Sequence, residues 1–254
     1  RVMRSQSFDV VVADEASQLT EPDTLAAINR GDRFVLVGDH RQLPPVVQSD
    51  AGLETSLFER LIETYPEAAV MLDRQYRMSQ RIQAFASREF YDGQLRPATA
   101  AVAGQRVADL GLDPGREDVY DGVAFVPVEG TPEPHRDQAE AKRVAKIVSA
   151  YLDAGADPDD LGVIAPFRAQ VSTIGPLVPE GVTVDTVDRF QGSSTEILLV
   201  SFTASGSLEG PLFEDERRMN VALTRAKKAL VLVGDPAALE SRERYARMLE
   251  WADQ

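Results

Sequence analysis

An acidic pair, Asp14 and Glu15, follows the first apolar run of the sequence, residues 8–13. That run predicts a buried strand, and ligands of open α/β sheets bind at the carboxyl ends of strands. Two adjacent acids can divide the work of phosphoryl transfer there, because Asp14 can hold Mg²⁺ through water while Glu15 orients or deprotonates the attacking water. A solvated strand end is the competing interpretation.

A second polar group follows the next apolar run, residues 33–37, and includes Asp39, His40 and Gln42. A glutamine amide can hydrogen-bond a γ-phosphate oxygen or the attacking water without adding charge. A plain turn after a strand is the alternative, and we interpret His40 as a turn residue.

Two arginines could supply positive charge to the same chemistry. Arg77 precedes a helical pattern that Ser79 could cap, and the planar fork of an arginine suits bidentate phosphate contact. Arg225 lies in the densest basic cluster of the chain and could stabilise charge on a transferring phosphoryl group. A surface arginine and a solvated basic helix are the alternatives. Tyr76 and Met78, which flank Arg77, are interpreted as packing residues.

Two further segments could meet a nucleic-acid backbone. Arg168 and Gln170 follow an apolar run and open a helical pattern whose N-terminus could receive a backbone phosphate. Thr186 ends another run, and Gln191 and Gly192 follow it in a tight turn.

These residues are positioned by short apolar runs that alternate with helical patterns. Most runs are continuously apolar, as expected of buried parallel strands. The alternation predicts an α/β architecture with helices on both faces of a mainly parallel sheet. The runs predicted as strands are 8–13, 33–37, 69–72, 123–128, 161–165, 182–186, 197–202 and 229–233. Residues 92–121 predict a long surface excursion, and residues 204–216 predict a mobile loop.

Composition excludes other chemistries. The 254 residues include no cysteine and two histidines. A disulfide scaffold, a thiol nucleophile and a cysteine-ligated zinc site are therefore excluded, and a polyhistidine metal centre is disfavoured. No apolar run approaches the ~18 residues of a membrane span and no signal-peptide pattern is present, so we expect a soluble cytoplasmic protein without a membrane partner.

The charge balance argues, taken alone, against nucleic acid as a partner. The net charge is −14, from 27 basic and 41 acidic residues, and an acidic field repels phosphate at long range. Either a local basic groove or a high-salt cytoplasm, where screening shortens the field, removes that objection. We favour the salt-adapted host as a hypothesis.

Six blocks of sequence, in this order, resemble superfamily 1 helicases of the Upf1/Dna2-like group. The resemblance covers roughly residues 8–90 and 160–235. The blocks are DEASQ (14–18, like motif II), GDHRQLPP (38–45, like motif III), QYRM (75–78, like motif IV), LGVIAPFRAQV (161–171, the block before motif V), VDRFQG (187–192, like motif V) and NVALTRAK (220–227, like motif VI).

The resemblance implies two RecA-like domains with ATP bound between them. Asp14 would serve Mg²⁺, Glu15 the hydrolytic water and Gln42 the γ-phosphate, which Arg77 and Arg225 would reach from the second domain. The further residues implied to bind the nucleotide are Asp39, Gln191 and Gly192. Those implied to lie near the nucleic-acid backbone are Arg168, Gln170 and Thr186. Family members move 5′ to 3′ on single strands, so the resemblance implies a monomeric motor on single-stranded nucleic acid, with DNA favoured over RNA.

Two departures from the family pattern matter. No G-x-x-x-x-G-K-[ST] phosphate-binding loop occurs in the 254 residues. We therefore expect residues 1–72 to be the second part of a truncated first RecA-like domain and residues 73–254 to be a whole second one. The upstream part of the same polypeptide would be a partner, and this piece alone would neither hydrolyse ATP nor unwind. Ser194 replaces the motif V glutamate, which leaves sugar recognition and nucleotide selectivity open.

Two alternatives remain beside the helicase motor. A degenerate RecA-like pair could grip nucleic acid or a protein without catalysis. An unrelated nucleotide-dependent transferase would explain the acids at strand ends but not the arginine pair.

Overall fold

The computed structural model describes residues 6–46, 55–130, 133, 135–190, 192–204 and 208–254. The chain divides into two compact units, Arg1–Met71 and Leu72–Gln254. Strands in both units pair in parallel, so the predicted α/β class with mainly parallel sheets is confirmed. Within the described ranges, no helix combines the length and apolarity needed to cross a bilayer.

The first unit contains a two-stranded parallel sheet, β1 (Phe8–Ala13) and β2 (Gly31–Leu36), joined through helix α1 (Glu21–Ile28). Ala13 lies opposite Leu36 in the ladder, so both strands end at the same edge. Helix α2 (Leu57–Thr64) begins at Ser56, whose hydroxyl accepts a hydrogen bond from the backbone N–H of Glu59.

The second unit is built on a five-stranded parallel sheet in the order β5-β9-β8-β6-β7. A separate short parallel pair, β3 and β4, precedes it. The strands are β3 (Arg74–Gln75), β4 (Arg96–Pro97), β5 (Gly122–Pro127), β6 (Leu161–Ala165), β7 (Thr183–Thr186), β8 (Thr195–Ser201) and β9 (Ala226–Gly234). The helices are α3 (Gln80–Phe90), α4 (Ala100–Ala103), α5 (Gln138–Asp153), α6 (Arg168–Ile174), α7 (Pro211–Glu214), α8 (Glu216–Leu223), α9 (Pro236–Glu240) and α10 (Glu243–Ala252).

The core of the second unit lies on the large sheet. Every residue of β6 is buried, and Ile147 of α5 packs in one cluster with Val163, Leu199 and Val231 of three neighbouring strands. Successive strand residues point to opposite faces, and the second face is covered by helices that include α3, which contacts β5 and β9. Burial on both faces explains why these strands read as continuous apolar runs.

Three sequence predictions about elements were wrong. Residues 69–72 form no strand: the chain runs irregularly after a 3-10 helix, Pro66–Ala68, and Val70 is 86% exposed. Residues 92–121 contain β4 and α4 and contribute the buried Val107 to the core, so this segment is more than a surface excursion. The predicted mobile loop, residues 204–216, contains helix α7 at residues 211–214. Leu212 and Phe213 of this helix are buried, so apolar packing holds the segment in place.

Candidate functional site

The turn that carries the acidic pair is tied to the end of the neighbouring strand. Glu15 adopts a left-handed conformation with φ 52°, and the next N–H, of Ala16, donates to the carbonyl of Val37 at 2.8 Å. A Cβ on Gly38 would lie 2.8 Å from the backbone nitrogen of Ser17. The glycine is therefore required for the close approach of the two strand ends.

Asp14 and Glu15 are both exposed at this edge. One oxygen of Asp14 accepts from the N–H of Glu15 at 2.9 Å, and one oxygen of Glu15 accepts from the Gln18 amide at 2.5 Å. Among the described residues no group of three or more His, Cys, Asp or Glu could hold a metal. A pair of carboxylates suits Mg²⁺, which keeps several waters and substrate oxygens in its shell.

Asp39 organises the loop that follows β2. Its two carboxylate oxygens accept from the N–H of Arg41 at 2.9 Å and from the Gln42 side-chain amide at 2.7 Å, while its own N–H donates to the hydroxyl of Ser17 at 3.1 Å. The structure thus gives Asp39 a positioning contact with Gln42, and it holds the loop against the turn of the acidic pair. Burial and then the neighbouring Arg41 lower the pKa of His40.

In the second unit, Gln75 shapes the turn that presents Arg77. The Gln75 side-chain oxygen accepts from the backbone N–H of Arg77 at 2.8 Å and of Met78 at 2.7 Å, and its amide donates to the Met78 carbonyl at 2.8 Å. The sequence analysis assigned Gln75 no role, although it is the first residue of the QYRM block. Met78 is buried as predicted, but Tyr76 is 74% exposed, so its interpretation as a packing residue was wrong.

The segments that carry the two candidate arginines are in contact. The Arg77 guanidinium donates to the carbonyl of Thr224 at 3.1 Å, and Thr224 is the residue before Arg225. The Arg225 guanidinium, 2% exposed, donates to the carbonyl of Ser193 at 3.3 Å. Ser193 follows Gly192, which is exposed and has φ 81°, a conformation that favours glycine.

This arginine cluster lies at one end of the five-stranded sheet. Ser193 precedes β8 and Arg225 precedes β9, and these parallel strands begin side by side. The cluster is therefore at the amino ends of the strands. Gln191, the remaining nucleotide candidate of this loop, lies outside the described residues.

The residues expected near nucleic acid lie at the opposite, carboxyl end of the sheet. Arg168 follows β6 and is exposed, and Thr186 ends β7 opposite Ala165 and is half-buried. Gln170 corrects the sequence prediction. It is fully buried, its amide bonds the backbone of Asp137 in both directions (2.8 and 3.0 Å), and it reaches Ser201 at 3.1 Å. Its side chain joins helix α6 to the core, and burial keeps it from a backbone phosphate at the surface.

Gln170 belongs to a buried polar network centred on Glu140. The Glu140 carboxylate accepts from the hydroxyl of Ser201 at 2.6 Å and from the N–H groups of Thr203 at 2.8 Å and Ala204 at 3.3 Å. Burial raises the pKa of Glu140 to about 7, against the opposing effect of these donors. Apart from its place on an amphipathic helix, no feature of the sequence pointed to Glu140.

Acids neutralise much of the basic cluster of motif VI. Glu196 pairs with Lys227 at 2.6 Å and with Lys228, and Arg218 pairs with Asp188 at 3.2 Å. These ion pairs set the two lysines apart from the arginine cluster, so the density of basic residues in the sequence is not a free positive surface.

Comparison with known proteins identifies relatives over the whole chain. Residues 53–237 match a sequence family described as an AAA domain, and residues 1–50 match a second family with the same description. The chain is 37% identical over 268 residues to the DNA replication ATP-dependent helicase/nuclease DNA2 of Xenopus laevis, covering 92% of this chain and 25% of that protein. It is 35% identical over 267 residues to the ATP-dependent helicase MJ0104 of Methanocaldococcus jannaschii, covering 99% of this chain and 39% of the relative.

A solved structure supports the fold. The arterivirus helicase nonstructural protein 10, in complex with DNA, superposes with a TM-score of 0.52 at 16% identity, covering 94% of this chain and 41% of that one. The chain spans between a quarter and two fifths of the length of the curated relatives described above.

Proposed function

Because this chain belongs to the AAA domain family and, within it, to the Upf1/Dna2-like group of superfamily 1 helicases, we propose that it is the motor portion of an ATP-dependent 5′–3′ nucleic-acid helicase. Residues 1–72 would be the second part of the first RecA-like domain and residues 73–254 the whole second one, a boundary one residue from the division between the two compact units. ATP and Mg²⁺ are the proposed cofactors, and the nucleotide would bind between the domains.

The contact of Arg77 with the segment that carries Arg225 supports this proposal. The Arg77 guanidinium bonds the carbonyl of Thr224, which lies 147 residues further along the chain and directly before Arg225, at the start of two adjacent strands. Two arginines on adjoining segments suit a polyphosphate, whose negative charge they would stabilise during transfer.

The exposed pair of the first unit fits the complementary role. Asp14 presents a carboxylate for Mg²⁺, and Glu15 presents one that can orient or deprotonate a water. Asp39 holds the Gln42 amide in place, so that Gln42 can hydrogen-bond a γ-phosphate oxygen or that water. Bound Mg²⁺–ATP would supply the phosphoryl group that is transferred to water.

The polymer substrate would contact the carboxyl end of the second sheet. Arg168 is exposed there and Thr186 is half-buried, and we propose that both meet the backbone of a single strand. The names of the frog relative and of the arterivirus complex both mention DNA, which supports DNA over RNA. We propose a monomeric motor in the cytoplasm, with the acidic surface as an adaptation to salt.

The 254 residues contain no G-x-x-x-x-G-K-[ST] loop, so we propose that this chain alone neither hydrolyses ATP nor unwinds. The apolar strands of the first unit support a missing partner: Val12 is 64% exposed and Phe34 is 47% exposed. We propose that the upstream part of the same polypeptide supplies the loop and covers these strands.

The test joins this chain to the part of the Methanocaldococcus relative that lies outside the matched residues, and the proposal requires that part to supply the phosphate-binding loop. Glu15→Gln should retain ATP binding and lower DNA-stimulated ATP turnover by about 10²- to 10⁴-fold, the range for one positioned acid–base group. Arg225→Ala should lower turnover by about 10³-fold. Glu21→Gln and Arg116→Ala, which alter an exposed ion pair and an exposed hydrogen bond, are the matched controls.

The outcomes separate the two candidate classes. Loss of turnover in the first two variants alone supports the motor. If the chimera binds single-stranded DNA but no variant changes its ATP turnover, the chain is a non-catalytic binding module and the proposed function is wrong.

A further inference from the structure

A basic cleft of about 650 Å³ lies in the second unit between α3, the β3–β4 pair and α4. Arg74, Arg88 and Arg96 line it, and none of the lining residues is acidic. In a chain with 41 acidic residues and a net charge of −14, a cleft lined by three arginines and no acid is a marked local reversal of charge. None of the residues assigned above to ATP or to nucleic acid lines it.

Two of these arginines are held side by side by the backbone. Arg74 of β3 and Arg96 of β4 are direct partners in the parallel ladder, and side chains at paired positions stand on the same face. Like charges directly opposite one another destabilise a sheet. An anion bound between them would remove that cost.

The ion pairs within the chain leave most of this charge available. The Arg96 side chain makes no ion pair or hydrogen bond with any other described residue, and Arg74 approaches Asp73 only to 3.7 Å. Arg88 meets Glu89 at 3.2 Å, but Glu89 also accepts from Arg247 at 2.6 Å. That bond is the main cause of the lowered pKa of Glu89.

A buried amide gives a second, independent indication of a ligand. Gln83 lines the cleft, is 6% exposed, and its side-chain oxygen has no hydrogen-bond partner among the residues that the structure describes. Buried polar atoms are rarely left unpaired. A base amino group, a sugar hydroxyl or the ring N–H of a thymine in the cleft would satisfy this oxygen.

We propose that this cleft binds the sugar-phosphate backbone of the nucleic-acid strand, as a second contact separate from Arg168 and Thr186. The proposal rests on the helicase function proposed above. An acidic peptide is the competing ligand, but protein interfaces centre on buried apolar or aromatic anchors. Leu95 and Pro97 are the largest apolar side chains that line this cleft. A polar, positively charged surface of this kind is typical of nucleic-acid interfaces.

The test measures binding of fluorescein-labelled dT15 to the 254-residue chain by anisotropy at several salt concentrations. The double variant Arg88→Gln/Arg96→Gln should weaken binding about tenfold or more at low salt. It should also make the slope of log K against log salt shallower by about 1.4, because each contacted phosphate of a single strand contributes about 0.7. The control Arg116→Gln/Lys142→Gln removes the same charge from exposed side chains outside the cleft and should change neither quantity comparably.

A crosslink locates the strand. Because the chain has no cysteine, Ala100→Cys on the cleft wall provides a single thiol for a benzophenone label, with exposed Lys142→Cys as its control. The label at position 100 should crosslink to dT15 and the label at position 142 should not. Equal yields at the two positions would overturn the proposal.

Further outcomes distinguish its failure from failure of the proposed function. If Arg168→Gln weakens dT15 binding while the cleft double variant matches the control, the cleft proposal fails and the helicase proposal stands. Displacement of dT15 by an equal concentration of 15-residue poly-glutamate would favour the peptide and overturn the proposal. Absence of dT15 binding by the unmodified chain would count against both.

Discussion

The strands of the two units share parallel pairing and apolar sequence but differ in burial. Val163 in β6 is 0% exposed and all five residues of that strand are buried, whereas Val12 in β1 is 64% exposed. Both runs are of the kind that predicts burial on both faces. The difference shows that an apolar run can identify a strand, whereas the burial of that strand depends on which other segments pack against it.

The functional groups differ in the same way. The acidic pair of the first unit is exposed at a strand end, whereas the arginine cluster of the second unit is held by carbonyl contacts within a packed sheet. A phosphate-binding arginine must be fixed in direction to act in the transition state. We therefore expect the second unit to hold Arg77 and Arg225 rigidly in this chain, and the first unit to hold Asp14 and Glu15 less rigidly.

The largest expected difference between the strands of the two units is in amide hydrogen exchange. The slowest amides of β8 and β9 should exchange at least about 10³-fold more slowly than those of β1 and β2, because an isolated two-stranded sheet is marginally stable and opens locally. Exchange followed by mass spectrometry on peptides that separate the strands provides the measurement. Equal protection in the two sheets would show that exposure of the first sheet has no energetic consequence.

The pH dependence of stability sharpens the contrast between buried and exposed carboxylates. Glu140 has a pKa of about 7 in the folded chain, above its ordinary 4.5, so the folded state binds the proton more tightly than the unfolded state. Its contribution to stability is present below pH 4.5 and is lost as pH rises to about 7. Between pH 5 and pH 8 the free energy of unfolding of the second unit should fall by about 2 to 3 kcal/mol from this group.

Urea unfolding followed by fluorescence provides the measurement, because Trp251 is the single tryptophan and lies buried in the second unit. Glu140→Gln should flatten the dependence over that range. Asp118 is the internal contrast: Arg143 holds its pKa below the ordinary value, so its stabilisation is lost only as pH falls below about 3.8. If Glu140→Gln kept the full dependence of the unfolding free energy on pH, Glu140 would not be the source of that dependence.

The sequence was a good guide wherever local chemistry decides the outcome. The run 161–165 became β6 without change, and Ser79 caps α3, as predicted, by accepting from the N–H of Ile82. It failed where tertiary contacts decide. Nothing in the spacing of Arg168 and Gln170 indicates that one side chain is exposed and the other is fully buried.

The candidate site shows the same limit. Residue types and order pointed to Arg77 and Arg225, but the bond of Arg77 to Thr224 depends on where the turn before α3 lies against the start of β9, a contact between segments far apart in sequence. The Gln75 contacts that shape the turn depend on a backbone conformation that the letters QYRM do not specify. Sequence therefore identified the candidate site residues more readily than the residues that position them.

The smallest expected effect is on stability, and a matched pair of substitutions in buried β6 and exposed β1 measures it. Val163→Ala should cost about 2 kcal/mol, from two lost methyl groups and a residual cavity. Val12→Ala should cost less than about 0.5 kcal/mol in this chain, as for an ordinary exposed position. Thermal unfolding followed by circular dichroism measures both.

The comparison becomes decisive when the same pair is made in the chimera with the phosphate-loop segment. If that segment covers β1, the cost of Val12→Ala should rise toward that of Val163→Ala, because the same two methyl groups would then leave a packed interior. A cost that stays below about 0.5 kcal/mol in the chimera would mean that the exposed face of β1 is a surface in its own right. The apolar run would then need an explanation other than burial by the upstream chain.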